Sequence, residues 1–188
     1  MPNSRRLVVT ENITANGVIE FKEDWFDPAD QGDAEDLFAV MKAQMATEEA
    51  LLLGRRTFED FRGYWPLQTN DTTGSTAHLN GVLKYVVSST MKEPGWSNST
   101  VLSGRLEEEV VALKSRGDGG DLGVTGSISV VHALMRADLV DEYRLFVYPV
   151  LSGWGRNLVP SELTLQKLTL TECLSFRSGV AMQIYTRS

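Results

Sequence analysis

Along the chain, apolar runs of strand length alternate with stretches whose apolar residues recur at helical spacing, and Gly-, Asn- and Ser-rich breaks separate them. Arg6 to Thr10 is apolar and β-branched and reads as a first strand. Asn16-Gly17 is a strong turn signal, and Val18 to Phe21 reads as a short extended return. Asp24 to Asp33 is a polar loop that holds Trp25, Phe26 and Pro28. Leu37, Phe38, Met41 and Met45 fall on one face of a helix over Ala34 to Thr47. Ala50-Leu51-Leu52-Leu53, an unbroken apolar run ended by Gly54, has the pattern of a strand covered on both faces. Thr57 followed by Asp60 resembles a capping box and predicts a helix from Thr57 to near Gly63. Residues 67–80, rich in Thr, Asn, Asp, Ser and Gly, read as a loop.

The second half repeats the alternation. Lys84 to Val87 and the weaker Ser99 to Leu102 are strands, and Glu107 to Arg116 is a helix with Val110, Val111 and Leu113 inward. Gly117 to Asp121 is a flexible break, Leu122 to Thr125 a short strand and Gly126-Ser127 a tight turn. Ser127 to Ala137 is a helix with Ile128, Val131, Leu134 and Met135 on its apolar side, followed by the strand Tyr143 to Tyr148. Leu165 to Phe176 and Val180 to Thr186 form a hairpin turning at Ser178-Gly179. Strands alternating with helices predict an α/β fold with a mostly parallel sheet, and the closing hairpin adds an antiparallel edge. No repeat or linker interrupts the chain, so residues 1–188 are expected to be one domain.

Composition narrows the function classes. The net charge of -7 disfavours sequence-independent binding to nucleic-acid phosphates. One Cys and two His are too few for a zinc centre and exclude an internal disulfide. The apolar stretch near the N-terminus is too short for a secretory signal, and no stretch approaches the roughly 18 apolar residues of a membrane span. The cytoplasm is the expected compartment. Cys173, in a strand, reads as a small core residue. His132 reads as surface or packing, and His78 as a loop residue without a partner.

Three apolar strands end in small or hydroxyl residues: Gly54-Arg55-Arg56-Thr57, Ser88-Ser89-Thr90 and Thr125-Gly126-Ser127-Ile128. Ligands of open α/β sheets bind outside the carboxyl ends of the strands. Two of these segments open helices, whose free N–H groups and dipole suit phosphate. Gly54 and Gly126 admit close backbone approach, and Arg55 and Arg56 add forked cationic donors. The set points to a nucleotide with more than one phosphate group. The Rossmann and P-loop fingerprints are both missing.

Leu51-Leu52-Leu53-Gly54-Arg55-Arg56-Thr57-Phe58, Gly63-Tyr64-Trp65-Pro66 and Val86-Val87-Ser88-Ser89-Thr90 resemble the dihydrofolate reductase superfamily. Gly126-Ser127 with its helix, Leu139 to Leu145, and Pro149 to Gly155 resemble the reductase domain of the bifunctional riboflavin-biosynthesis deaminase-reductases and their stand-alone relatives. This resemblance implies a three-layer dihydrofolate-reductase-like fold and an NADPH-dependent reductase of a small pterin-like or ribosylamino-pyrimidine-like heterocycle. It implies that Arg55 or Arg56 holds the 2′-phosphate and Thr57 the pyrophosphate. Ser88, Ser89 and Thr90 would line the adenosine ribose and its phosphate. Thr125, Gly126, Ser127 and Ile128 would wrap the pyrophosphate, and Ala15 would meet the nicotinamide. The family often has two glycines where Gly126-Ser127 stands. Among Asp33, Glu35 and Asp36, Asp36 best matches the superfamily's proton donor. The alternative is that all three stabilise the helix N-terminus. Relatives are commonly dimers, so a homodimer is expected. A non-catalytic nucleotide-binding protein with the same fold is the other reading.

Overall fold

The computed structural model describes residues 5–21, 25–26, 33–116 and 120–188. Most of the expected 24–33 loop and the centre of the expected 117–121 break lie outside these residues. Among the described residues eight strands form one sheet in the order β4-β3-β2-β5-β1-β6-β8-β7. They are β1 (Leu7–Thr14), β2 (Glu48–Gly54), β3 (Leu83–Val87), β4 (Ser99–Leu102), β5 (Asp121–Val124), β6 (Glu142–Tyr148), β7 (Leu168–Ser175) and β8 (Ala181–Arg187). The first six are mutually parallel, and β8 runs antiparallel to both β6 and β7. This is the mixed sheet with a closing antiparallel hairpin that the sequence pattern predicts.

Among the described residues five helices cover the sheet: α1 (Glu35–Met45), α2 (Arg55–Tyr64), α3 (Ser75–Gly81), α4 (Leu106–Ser115) and α5 (Ile128–Arg136). Strand alternation sorts the core. Leu7, Val9, Ala50, Leu52, Leu122, Val124 and Tyr143 pack with Val110 and Leu113 of α4 and with Val131 and Leu134 of α5. The other face carries two separate clusters. Leu37 of α1 meets Phe146, Tyr148 and Met182. Phe58 of α2 and Leu79 of α3 meet Leu51, Leu53 and Val86. β2 is covered on both faces, and Leu52, Leu53 and Ala50 are fully buried. Each leucine gains roughly 1.5–3 kcal/mol from leaving water, which is why an unbroken apolar run fits here. On the second face, Thr10 and Asn12 of β1 lie between the two clusters, so the middle of that face is a polar strip.

The structure corrects four expectations. Helix α2 begins at Arg55 with Gly54 as its N-cap, and no side chain caps it. Thr57 is therefore inside the first turn, and the capping-box reading fails. Residues 67–80 are not all loop. A single 3-10 turn spans Trp65–Leu67, and α3 follows. Its polar sequence hides a helix fixed from outside, because the buried Lys84 Nζ donates to the carbonyls of Leu79 (2.7 Å) and Val82 (2.8 Å). His78, on α3, does have a partner: Nε2 lies 2.7 Å from Glu48 Oε2. Cys173 is exposed, because β7 is an edge strand open to solvent along nearly its whole length.

At the amino ends of the central strands sits a polar network. Asp121 accepts from Arg6 Nε (3.0 Å), Arg144 Nη2 (2.8 Å) and Thr47 Oγ1 (3.0 Å). Glu142 accepts from Arg6 Nη1 (2.8 Å) and Arg144 Nε (2.6 Å). Asp121, Glu142 and Arg144 are all buried. Burial works against the Arg144 charge, but its bonds to Asp121 and Glu142 outweigh that and raise its pKa.

Candidate functional site

The carboxyl ends of the same strands are built differently. A cavity of about 580 Å³ opens there. Its walls come from the start of α2 (Gly54, Arg55, Arg56), the end of β3 (Val87, Ser88, Ser89, Thr90), the β4–α4 turn (Leu102, Ser103, Gly104) and the start of α5 (Ser127, Ser129, Val130). Three helices thus begin at one cavity. In α5 the first intrahelical bonds are from the N–H groups of Val130 and Val131 to Ser127 O (2.8 and 3.0 Å). Earlier N–H groups at each of these ends have no partner within their own helix, and the dipole adds partial positive charge.

The glycines explain how close the walls come. Gly54 N–H donates to Gly126 O (3.1 Å). A Cβ on Gly54 would overlap Ser127 Oγ and its Cβ, so only glycine fits. Gly126 has φ +114° and its peptide to Ser127 is cis. A Cβ there would lie 2.8 Å from Thr57 Oγ1. Thr57 is therefore packed behind the α5 turn rather than in the cavity wall. Ser88 Oγ accepts from the N–H groups of Thr90 (3.2 Å) and Met91 (3.0 Å), which curls Ser88 to Thr90 around the cavity. Ser127 Oγ and Ser129 Oγ are 3.1 Å apart.

Charge is distributed unevenly along this cavity. Arg55 and Arg56 stand at the α2 end. Arg55 Nη1 makes an exposed pair with Glu59 at 3.5 Å, while Arg56 has no ion pair among the described residues. The α4 end is acidic. Glu107, Glu108 and Glu109 occupy its first turn, and a Cβ on Gly104 would lie 2.6 Å from Glu109 Oε1. Anions are favoured at the α2–α5 side and opposed at the α4 side.

Of the expected cofactor residues, Gly54, Arg55, Arg56, Ser88, Ser89, Thr90 and Ser127 line the one cavity. Thr57 and Gly126 support it from behind. Thr125 and Ile128 flank Gly126-Ser127, with Ile128 packed into the core. Ala15 follows β1 and its N–H donates to Val150 O (2.9 Å), so it lies away from these walls. Asn16 ties this turn down through Ser152, donating from Nδ2 to the carbonyl (2.7 Å) and accepting its N–H at Oδ1 (3.1 Å). Ser103 and Gly104 were not singled out from the sequence. The signal was present: Ser-Gly after an apolar strand and before a helix is the pattern used for the other segments.

Asp36 lies elsewhere. Its Oδ2 accepts the Arg177 N–H (3.1 Å) and its Oδ1 the Leu37 N–H (3.0 Å). Those bonds, with the Arg177 guanidinium 3.7 Å away, hold its carboxyl below the usual range. Asp33 and Glu35 also pair with Arg177, at 3.2 and 3.5 Å. The three carboxylates fasten α1 to the β7–β8 turn. Trp25 joins Phe26, Phe21 and Tyr148 in an aromatic cluster with ring centroids 4.9–6.1 Å apart. Trp154 is exposed.

The model of the RibD C-terminal domain family matches residues 22–182. The chain belongs to that family. The uncharacterized protein YyaP of Bacillus subtilis (strain 168) is 28% identical, over 96% of this chain and 94% of that protein. Solved structures share the fold at lower identity. A putative riboflavin biosynthesis protein from Shewanella sp. PV-4 superposes with TM-score 0.72 at 18% identity, over 97% of this chain and 99% of that one. A pyrimidine reductase-like protein from Corynebacterium diphtheriae gives 0.68 at 14% identity, over 99% and 93%. Dihydrofolate reductase from Enterococcus faecalis, complexed with NADP(H) and RAB-propyl, gives 0.62 at 19% identity, over 97% and 96%. The fold is dihydrofolate-reductase-like. Among the described residues no helix is long and apolar enough to cross a membrane.

Proposed function

We propose that the protein is an NADPH-dependent reductase of a small heterocycle, pterin-like or ribosylamino-pyrimidine-like. The observation that carries this reading is the cavity into which α2, α4 and α5 begin, with arginines at one end and carboxylates at the other. Its residues fit a dinucleotide phosphate. The open N–H groups of α5 and the Ser127 and Ser129 hydroxyls take the pyrophosphate, with Gly54 and Gly126 clearing its path. Arg56, which lacks an ion pair, takes the 2′-phosphate with Ser88, Ser89 and Thr90, and Arg55 stands beside it. Val87, Leu102 and Val130 supply an apolar wall for a flat base. When bound, the cofactor supplies a hydride for a C=N or C=O bond, and the protein binds, orients and excludes water. The aromatic cluster of Phe21, Trp25, Phe26 and Tyr148 suits a flat ring as substrate.

Two subsidiary readings go with it. The chain acts as one domain, and it dimerises through the exposed edge around Leu168 and Leu170 of β7. The bonded state of Asp36 favours a second functional reading, a nucleotide-binding protein without turnover. The test is loss of NADPH absorbance with a panel of oxidised pterins and ribosylamino-pyrimidines. Consumption that depends on one heterocycle supports the reductase. Tight binding of NADPH with no consumption across the panel supports the second reading.

A further inference from the structure

A buried carboxyl group lies where the central strands part. β1 pairs with β5 only from Leu7↔Leu122 to Val9↔Val124, whereas its pairing with β6 continues to Thr14↔Tyr148. Past Val9 the two neighbours therefore diverge, and the chain of β5 turns through Gly126 to Ser127, which lines the cavity. The connection after β1 leads to β2 on one side and the connection after β5 leads to β6 on the other, so the two neighbours send their chains in opposite directions and this gap is the topological switch point of the sheet. Glu11 is the second residue past the split, opposite Leu145. It is 6% exposed, and its Oε1 is buried with no hydrogen-bond partner.

Among the described residues no hydrogen bond or ion pair uses this carboxyl. On the same face stand Val9 and Ile13 of β1, Leu145 and Val147 of β6, Val124 of β5, and Ile128 and Val131 of α5, all apolar. Titratable groups of the elements packed here are Tyr143, whose hydroxyl meets Gln166, Tyr185, and His132, whose Nε2 meets Asn157 O. Burial is the one cause that raises the Glu11 carboxyl, to about 8, with no charged neighbour contributing. At neutral pH it is the uncharged acid, with a proton and a lone pair still to place. A partnerless acid among apolar side chains costs stability, so a ligand that completes it is the natural resolution.

Resting on the reductase reading above, we propose that Glu11 borders the ring end of the dinucleotide and that its proton is linked to the redox state of that ring. The oxidised nicotinamide ring carries a positive charge and the reduced ring none. A carboxyl beside it keeps its proton with the reduced form and gives it up with the oxidised form. Hydride departure moves two electrons and one hydrogen nucleus out of the ring. Glu11 then loses one proton to the crevice, and it takes one back from solvent when the oxidised cofactor leaves.

The test is calorimetric titration of wild type and Glu11→Gln with NADP+ and NADPH, from pH 6.5 to 9, in two buffers of different ionisation enthalpy. The expected result is release of about one proton on NADP+ binding near pH 7 and roughly a tenfold gain in affinity per pH unit up to the Glu11 pKa, the slope of a single linked proton. NADPH shows neither effect, and Glu11→Gln loses both. Binding of both dinucleotides with the same proton count in wild type and Glu11→Gln overturns this proposal and leaves the cofactor reading intact. Binding of neither overturns both. A second measurement needs no ligand. The folded carboxyl holds a proton that the unfolded chain releases near 4.5, so stability falls as pH rises from about 4.5 to about 8. Glu11→Gln flattens that fall in urea denaturation, and an identical fall in both proteins contradicts the buried acid.

Discussion

The two ends of the sheet are both polar, yet they are built for opposite purposes. At the amino ends, Arg6, Asp121, Glu142 and Arg144 bond one another at 2.6–3.0 Å, and all but Arg6 are buried. Their charges are consumed by the fold. At the carboxyl ends, the openings of α2, α4 and α5 face a cavity, and Arg56 has no ionic partner among the described residues. Those donors remain available for a ligand. Helices that follow parallel strands present their N–H ends at the carboxyl edge of the sheet, and the side chains follow that asymmetry. Where polar groups close on themselves they hold the fold. Where they stay open beside glycines they mark the site.

The largest effect expected from this contrast comes from Asp121→Ala. It takes from the buried Arg144 one of its two carboxylate partners and should cost about 3–5 kcal/mol in urea denaturation. Binding of NADPH by the molecules that remain folded should be unchanged in calorimetry. Loss of affinity without loss of stability would contradict the division between the two ends. Gly54→Ala should come next. Its Cβ overlaps Ser127, and overpacking of this kind costs roughly 1–3 kcal/mol. Because the strain falls on the α5 opening, NADPH affinity should drop as well, and adding Ser127→Gly should restore part of it. Arg56→Ala should leave denaturation unchanged and weaken NADPH by about 1–3 kcal/mol, the range for a charge-assisted contact. Its effect on NADH should be small, and equal weakening of both would place Arg56 away from the 2′-phosphate.

The same contrast shows what was legible in the sequence. β2 was readable because Ala50 to Leu53 is buried on both faces and allows only apolar residues. The site was readable because close approach and anion binding demand glycines, hydroxyls and arginines just after strands. Helix α3 was not, because it is one short, mostly polar segment with a single large apolar residue, Leu79, and Lys84 from a neighbouring strand holds its end. Cys173 misled because a strand pattern does not say whether a strand is central or at the edge. Apart from Glu142 with Arg144, the amino-end network joins residues 23 to 136 positions apart, such as Asp121 with Arg144 and Arg6 with Glu142, and sequence spacing carries no trace of such pairs. Glu11 was missed for a related reason: one acidic residue in an alternating strand reads as solvent-facing until its neighbours in space are known.

The most direct test of the open end is titration of the wild-type protein with NADPH and with NADH under the same conditions. A cavity with Arg56 free and phosphate-suited helix ends predicts micromolar NADPH binding and clearly weaker NADH binding. Failure to bind either dinucleotide would contradict it, leaving a reductase fold whose open donors serve some other ligand.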